Sequence, residues 1–369
     1  MVHSKNLILR KIRAAVLRKQ DGPLKIETLN MEGPQDTEAL IRTVASGVCH
    51  TDISMVHHWE TSDGPLVLGH EGAGIVELTG KKVKAVRPGD HVVLSYQSCG
   101  TCRGCKSGQP TKCRRFYELN FGIQRPDGSN ALESGGVHGH FFGQSSFSSH
   151  ILATERNIVK VSKKLPLKVL APLGCGIQTG AGTVMNMLNV RKGESIAIFG
   201  TGAVGLAAVM AAHVVGANPI IGVDIMPSRL KLALELGATH VINSRIADVA
   251  AGINKIIAGG VDYVLEITGN PRMLQLAIEV IKKRGTAAFF TGDGVPDFVP
   301  RGRKAVAVVE GDSVSQIFIP KLIKLYQSGK FPFDRLLKFY DFKDINKAMK
   351  DSINGKTIKP VLLINNNFR

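Results

Sequence analysis

Between positions 195 and 223 the chain carries no Asp, Glu, Lys or Arg, and no other property of the sequence limits its fold as strongly. A run of this length could cross a bilayer. It is broken, however, by His213, Pro219 and five glycines from Gly200 to Gly222, and its pattern changes midway from strand-like to helix-like. A buried strand–turn–helix–strand accounts for it better, because parallel strands covered on both faces are apolar throughout. The turn reads Gly200-Thr201-Gly202-Ala203-Val204-Gly205, after a strand at 196–199 and before an apolar helix, and Asp224 ends the next strand about 20 residues on.

Strand, G-x-G-x-x-G turn, helix and a following acidic residue together form a dinucleotide-binding fingerprint, where the glycine pattern alone would be a weak signal. The glycines admit a pyrophosphate close to the backbone, and the helix N-terminus offers unpaired N–H groups and the positive end of its dipole. Asp224 can accept hydrogen bonds from both hydroxyls of an adenine ribose and would repel a 2′-phosphate, so the reading is NAD over NADP. Arg229 either reaches the same ribose or is a solvated helix charge.

The rest of the second half follows the same alternation. Strands are expected at 220–223, 240–242, 263–267 and 286–290, with helices at 228–236 and 272–282, which implies a doubly wound parallel sheet. The first half is different: short strands and turns at 12–17, 39–45, 72–78, 91–94 and 151–161, with a Gly-, Ser- and Arg-rich loop from 98 to about 143. A helix at 320–328 and a strand at 360–364 close the chain. At 369 residues the length suits roughly two domains.

The six cysteines do not resemble a small disulfide scaffold. Four are crowded as Cys99-x2-Cys102-x2-Cys105-x7-Cys113, a spacing that lets thiolates converge on one tetrahedral Zn²⁺; an iron–sulfur cluster is the chemical rival. A closed four-thiolate set leaves no position for a substrate, so its role is structural, pinning a loop with little core of its own. The other two, Cys49 and Cys175, accompany Gly47-Val48-Cys49-His50-Thr51-Asp52 and Gly69-His70-Glu71-Gly72. Two thiolates and one imidazole form a three-ligand site with an open fourth position. Taken singly, each of these residues reads as an ordinary core residue; their joint occurrence beside a nucleotide fold points to a metal site.

With these motifs in its order and spacing, the chain resembles the zinc-containing medium-chain alcohol dehydrogenase family from about residue 12 to 363. The resemblance implies an α/β chain with a GroES-like, β-rich catalytic domain (1–176, completed by 318–369) and a Rossmann coenzyme domain (177–317), the active site lying in the cleft between them. It implies a catalytic zinc on Cys49, His70 and Cys175, a structural zinc on Cys99, Cys102, Cys105 and Cys113, and NAD as hydride carrier for an alcohol or aldehyde. The zinc would lower the pKa of a bound hydroxyl, Thr51 would start the proton's way out, Asp52 would hold the free nitrogen of His70, and Glu71 would tune the metal. His50, Thr179, Lys359 and Arg229 join Gly200, Gly202, Gly205 and Asp224 as expected coenzyme contacts. The stretches 118–122, 126–129 and 140–147 are similar to the benzyl or aryl-alcohol branch, with Phe141 and Phe142 where the family lines its substrate pocket. Trp59 either walls the same pocket or is a structural aromatic. One departure stands out: some relatives place a terminal proton-carrying histidine five residues after the first cysteine ligand, and here that position is Ser54.

The charge balance bears on partners. Forty-seven Lys and Arg against thirty Asp and Glu give a net charge of +17, which raises a nucleic-acid-binding alternative. No basic block is interleaved with aromatics, and retention of a complete open metal site counts against that alternative. Within the dehydrogenases, glutathione adducts or aliphatic alcohols stand as alternative substrates. The first twenty residues hold six cations and no acid, as a transit peptide does, yet 12–17 already reads as a strand. The expectation is a cytoplasmic, homodimeric or homotetrameric enzyme acting on a small molecule, without membrane association.

Overall fold

The computed structural model describes residues 9–290, 295 and 299–365; Lys5, part of the basic N-terminal stretch, lies outside them. The chain divides into two compact units: Met1–Cys175, Val314–Pro320 and Leu336–Arg369 form the first, and Gly176–Ser313 with Lys321–Arg335 the second. The second unit therefore claims 321–335, which the sequence reading gave to the catalytic domain. Within this segment Tyr326 and Phe331 pack on Phe333, and Arg335 joins it to the rest of the unit by pairing with Glu235.

The first unit is built of antiparallel strands. Lys25–Met31, Arg10–Leu17 and Leu66–Val67 make a small sheet. A larger one runs in the order Leu337–Asp341, Lys359–Leu363, Glu38–Gly47, Glu71–Thr79, His91–Leu94, Ile158–Val161, with His150–Thr154 also paired to Glu38–Gly47. The central strand Glu38–Gly47 is buried along almost its whole length, and Ile41, Val76, Val92, Leu94 and Ile151 form its core. Register is what matters for function. Gly47 lies opposite Glu71 and also opposite Val361. Cys49, His70 and Lys359, far apart in the chain, thus arrive at one end of the same sheet.

The second unit holds a parallel six-stranded sheet in the order His240–Asn243, Ile220–Asp224, Ile196–Phe199, Val261–Glu266, Ile281–Phe289, Lys304–Ala307. This is the Rossmann order 3-2-1-4-5-6. Its strands are the near-continuous apolar runs that a sheet covered on both faces requires: Ile196–Phe199 and Ile220–Asp224 are buried at every residue. The edge strand Lys304–Ala307 escaped the sequence reading because it is short and half exposed. The helix expected at 272–282 ends at Glu279, and Ile281 already belongs to the next strand. The late helix expected from Pro320 spans Ser315–Gln327, with Pro320 inside it rather than at its first turn. Among the described residues no helix is long and apolar enough to cross a membrane.

Candidate metal and coenzyme sites

In the first unit, the two groups of thiols are two separate clusters. One ligand atom each of Cys49, His70, Glu71 and Cys175 lie within 4.8 Å of one another, and so do those of Cys99, Cys102, Cys105 and Cys113. None of the six cysteines is in a disulfide.

The four-cysteine cluster is made by local chain folding. Cys102 caps the short helix Arg103–Lys106. Its N–H donates to the Cys99 sulfur at 3.4 Å, and the Cys99 N–H to that of Cys113 at 3.3 Å. The sulfurs of Cys99 and Cys105 are 3.9 Å apart, and those of Cys102 and Cys105 3.7 Å. Four thiolates at about 2.3 Å from a tetrahedral zinc have their sulfurs about 3.8 Å apart, so the set fits that ion. Burial raises the Cys99 thiol's pKa, but donation from the Thr101 hydroxyl and nearby N–H groups outweighs it and brings the value to about 5; burial pushes Cys113 up to about 12.

The open cluster is assembled from three distant segments. Cys49 precedes the helix His50–His58, whose third residue, Asp52, turns its carboxylate back to the Cys49 N–H at 2.9 Å. The same carboxylate accepts from Gly69 N–H at 3.1 Å and meets Nδ1 of His70 at 2.9 Å, both buried contacts. Nδ1 is thereby the protonated nitrogen and Nε2 the one with a free lone pair. Nε2 is buried with no hydrogen-bond partner among the described residues. An orphaned buried imidazole nitrogen beside two thiols is what a soft divalent cation satisfies, so the donor set fits zinc. Hydrogen bonding with Cys175 lowers the Cys49 pKa well below a free thiol's despite burial, and the Lys359 ammonium and His70 add to this.

Lys359 makes contacts that the sequence does not announce. Read from sequence as a coenzyme contact, it is 2 % exposed and turned into the first unit. Its Nζ donates to both carboxylate oxygens of Glu71, at 2.7 and 2.9 Å, and to Val48 O at 3.2 Å. Burial opposes its charge, but the Glu71 carboxylate keeps its pKa above the ordinary lysine value. Nothing in the local sequence connects positions 71 and 359; the strand pairing does.

Of the other expected residues in this unit, Thr51 is half-buried, with its hydroxyl oxygen 3.8 Å from the Cys49 sulfur. His50 is exposed at the helix start. Ser54 Oγ is 3.2 Å from Nδ1 of His58, one turn further along. Phe142 stacks on the His70 ring at 4.6 Å, and Phe141 meets it edge-on at 5.6 Å. Phe121, which the sequence reading did not single out, packs against both phenylalanines and is itself half-buried. Trp59 donates its indole N–H to Gly64 O at 2.7 Å.

In the second unit the glycine turn has the geometry its pattern demands. Gly200 has φ +93°, and a Cβ on Gly205 would lie 1.9 Å from Gly200 O. The helix Ala203–Val215 starts within the turn, with Gly202 at its N-cap, so its first amides have no partner inside the helix and are free to meet a phosphate. Asp224 accepts from Thr201 N–H at 2.8 Å, Thr201 Oγ1 at 3.0 Å and Met226 N–H at 2.9 Å. Thr201 was invisible as an Asp224 partner from sequence, since the contact joins the turn after one strand to the end of its parallel neighbour. Arg229 approaches Asp224 to 4.0 Å. Thr179 donates its hydroxyl to Glu310 at 3.2 Å.

Comparison with known proteins agrees with these two units. Residues 35–163 match the alcohol dehydrogenase GroES-like domain, and residues 203–315 the zinc-binding dehydrogenase domain. The chain is 42 % identical to a geraniol dehydrogenase of Castellaniella defragrans, covering 95 % of this chain and 97 % of that one. It is similar to the crystal structure of benzyl alcohol dehydrogenase from Acinetobacter calcoaceticus, with 44 % identity, a TM-score of 0.93 and coverage of 97 % and 100 %. An alcohol dehydrogenase zinc-binding domain protein from Burkholderia ambifaria shows 49 % identity, a TM-score of 0.93 and the same coverage.

Proposed function

The chain belongs to the zinc-containing medium-chain alcohol dehydrogenase family, and from that membership we propose that it passes a hydride between a primary aromatic or allylic alcohol, or its aldehyde, and NAD. The observation that carries the reading is the buried set Cys49, His70 and Cys175 with an unpartnered imidazole nitrogen. Zinc held there supplies a Lewis acid that lowers the pKa of an alcohol hydroxyl and polarises an aldehyde carbonyl. Thr51 accepts the hydroxyl's hydrogen bond and starts the proton toward solvent. NAD held in the second unit would supply the two-electron acceptor, so that oxidation of the alcohol would release one hydride to the coenzyme and one proton by way of Thr51. Asp52 fixes the tautomer of His70 by bonding Nδ1.

The turn Gly200–Gly205 and its helix hold the pyrophosphate, and Asp224 takes the ribose hydroxyls, which favours NAD over NADP. Asp224 already accepts three hydrogen bonds, so it is oriented before the coenzyme arrives. A second zinc on Cys99, Cys102, Cys105 and Cys113 is structural. Support for an aromatic or allylic substrate comes from the Phe121, Phe141 and Phe142 cluster on His70 and from relatives named for geraniol and benzyl alcohol.

Purified protein is mixed with benzyl alcohol or geraniol and NAD, with NADP and S-hydroxymethylglutathione in parallel, and formation of reduced coenzyme is followed by its near-ultraviolet absorbance. NAD-dependent turnover of the first two alcohols, lost with a zinc chelator, is the expected result. Turnover confined to the glutathione adduct, or equal rates with NADP, overturns the substrate or the coenzyme assignment.

A further inference from the structure

We propose that Gln144 is a positioning residue for the metal-binding histidine, acting through the main chain of His70; this rests on the catalytic-zinc reading above. Gln144 is 3 % exposed, and both ends of its amide are bonded. Nε2 donates to His70 O at 2.8 Å and to Ser95 O at 3.2 Å, while Oε1 accepts from Gly72 N–H at 3.0 Å. One side chain thus grips the backbone on both sides of Glu71 and ties it to the end of the strand His91–Leu94. Gly72 leaves room for it: a Cβ there would lie 3.0 Å from Oε1.

The segment that carries Gln144 has an unusual backbone. His140, Phe142 and Ser145 all have positive φ, at 68°, 53° and 50°, as does Gly143 at 63°. Three non-glycine residues in the left-handed region within six positions persist only where surrounding structure over-determines them. The bonds that do so lead to the strand preceding His70 and to neighbours of the segment. Ser145 Oγ donates to Val67 O, Ser146 N–H to Gly69 O and Phe147 N–H to Leu68 O, while Asn157 donates to the carbonyls of Phe142 and Gly143. The result brackets one residue. The His70 ring is stacked by Phe142, its Nδ1 is held by Asp52, and its carbonyl is held by Gln144. Without the amide, the peptide between His70 and Glu71 can rotate and carry Nε2 away from the two sulfurs.

The test compares Gln144→Met, which keeps length and removes all three bonds, with the parent, each loaded with cobalt at the catalytic site. The expected result is a shifted and broadened visible ligand-field band. Loss of catalytic-site metal to a chelator should be about 10- to 100-fold faster, with metal at the four-cysteine site retained, as for other groups that orient a ligand. kcat should fall while KM for NAD stays unchanged. Gln144→Glu, which keeps the acceptor for Gly72 and offers at most one donor, should lie between the two; if Gln144→Met does not fold, Gln144→Glu carries the comparison alone. A parent-like cobalt band and chelation rate, even with a lowered melting temperature, reduces Gln144 to a packing residue and overturns the proposal. Absence of a catalytic-site cobalt spectrum in the parent itself overturns the zinc reading instead.

Discussion

The two thiol clusters of the first unit use the same chemistry in opposite settings. Cys99, Cys102, Cys105 and Cys113 fall within one loop, three of them only partly buried, and their sulfurs are bonded by the loop's own N–H groups. Cys49, His70 and Cys175 come from segments far apart in the chain and meet in a buried setting that also encloses an ion pair, Glu71 with Lys359. A local cluster can form as soon as its loop closes around a cation, and what it adds is the order of that loop. A distributed cluster exists only after the sheet is complete, so the rest of the unit supplies its geometry. The difference predicts that damage to one should appear as lost chemistry and damage to the other as lost stability.

The largest effect expected is from Cys175→Ser. Loss of a ligand from the open set should lower kcat/KM by roughly a thousandfold or more, since Lewis-acid stabilisation contributes several kcal/mol, with little change in far-ultraviolet circular dichroism. Steady-state kinetics with metal analysis will show this; a comparable fall in Cys102→Ser at 25 °C would erase the distinction between the clusters. Cys102→Ser should instead lower the melting temperature, by about 2–4 °C for each kcal/mol of loop order lost with the ligand, as read by scanning calorimetry. Asp52→Asn sharpens the comparison further. It keeps the size of the side chain but loses the charge that orients His70, and should cost about 10- to 100-fold in zinc retention or activity, measured by chelator challenge.

The smallest effect concerns pH. Burial, with Arg125 nearby, holds His140 down to about 3, against about 6.5 in an unfolded chain. The folded state thus binds the proton more weakly. The stability this histidine contributes is whole above pH 6.5 and is lost as pH falls from 6.5 toward 3, at no more than about 1.4 kcal/mol per pH unit. Asn accepts the positive φ of this position, so His140→Asn should flatten that part of the curve. Urea midpoints of both proteins between pH 4 and 7 test it; parallel curves would show that His140 carries no share of the acid sensitivity on the buried side.

How much of this was legible beforehand varies with sequence distance. The four-cysteine loop and the Gly200–Gly205 turn were readable because all their parts lie within one supersecondary unit. The same holds for the pairing of Asp52 with His70 only by family resemblance, since 18 positions separate them. The contact of Lys359 with Glu71 was not legible for the same reason: only the register of Val361 on Gly47 brings the two together. Gln144 lies within the similar stretch 140–147 but carries no local signal of a role, because its three bonds go to backbone atoms about 50 to 70 positions away.

By itself, the sequence determined whatever depends on local pattern: an apolar α/β half with a dinucleotide turn, a β-rich half, a four-thiolate loop, and the residue types for an open metal site. Those follow from periodicity, glycine sterics and ligand spacing, which act over a few residues. Tertiary structure alone decided which nitrogen of His70 is free, what neutralises Glu71, and what holds the His70 carbonyl. These depend on strand register and on buried partners, and in a buried polar cluster each group's state is set by its neighbours in space.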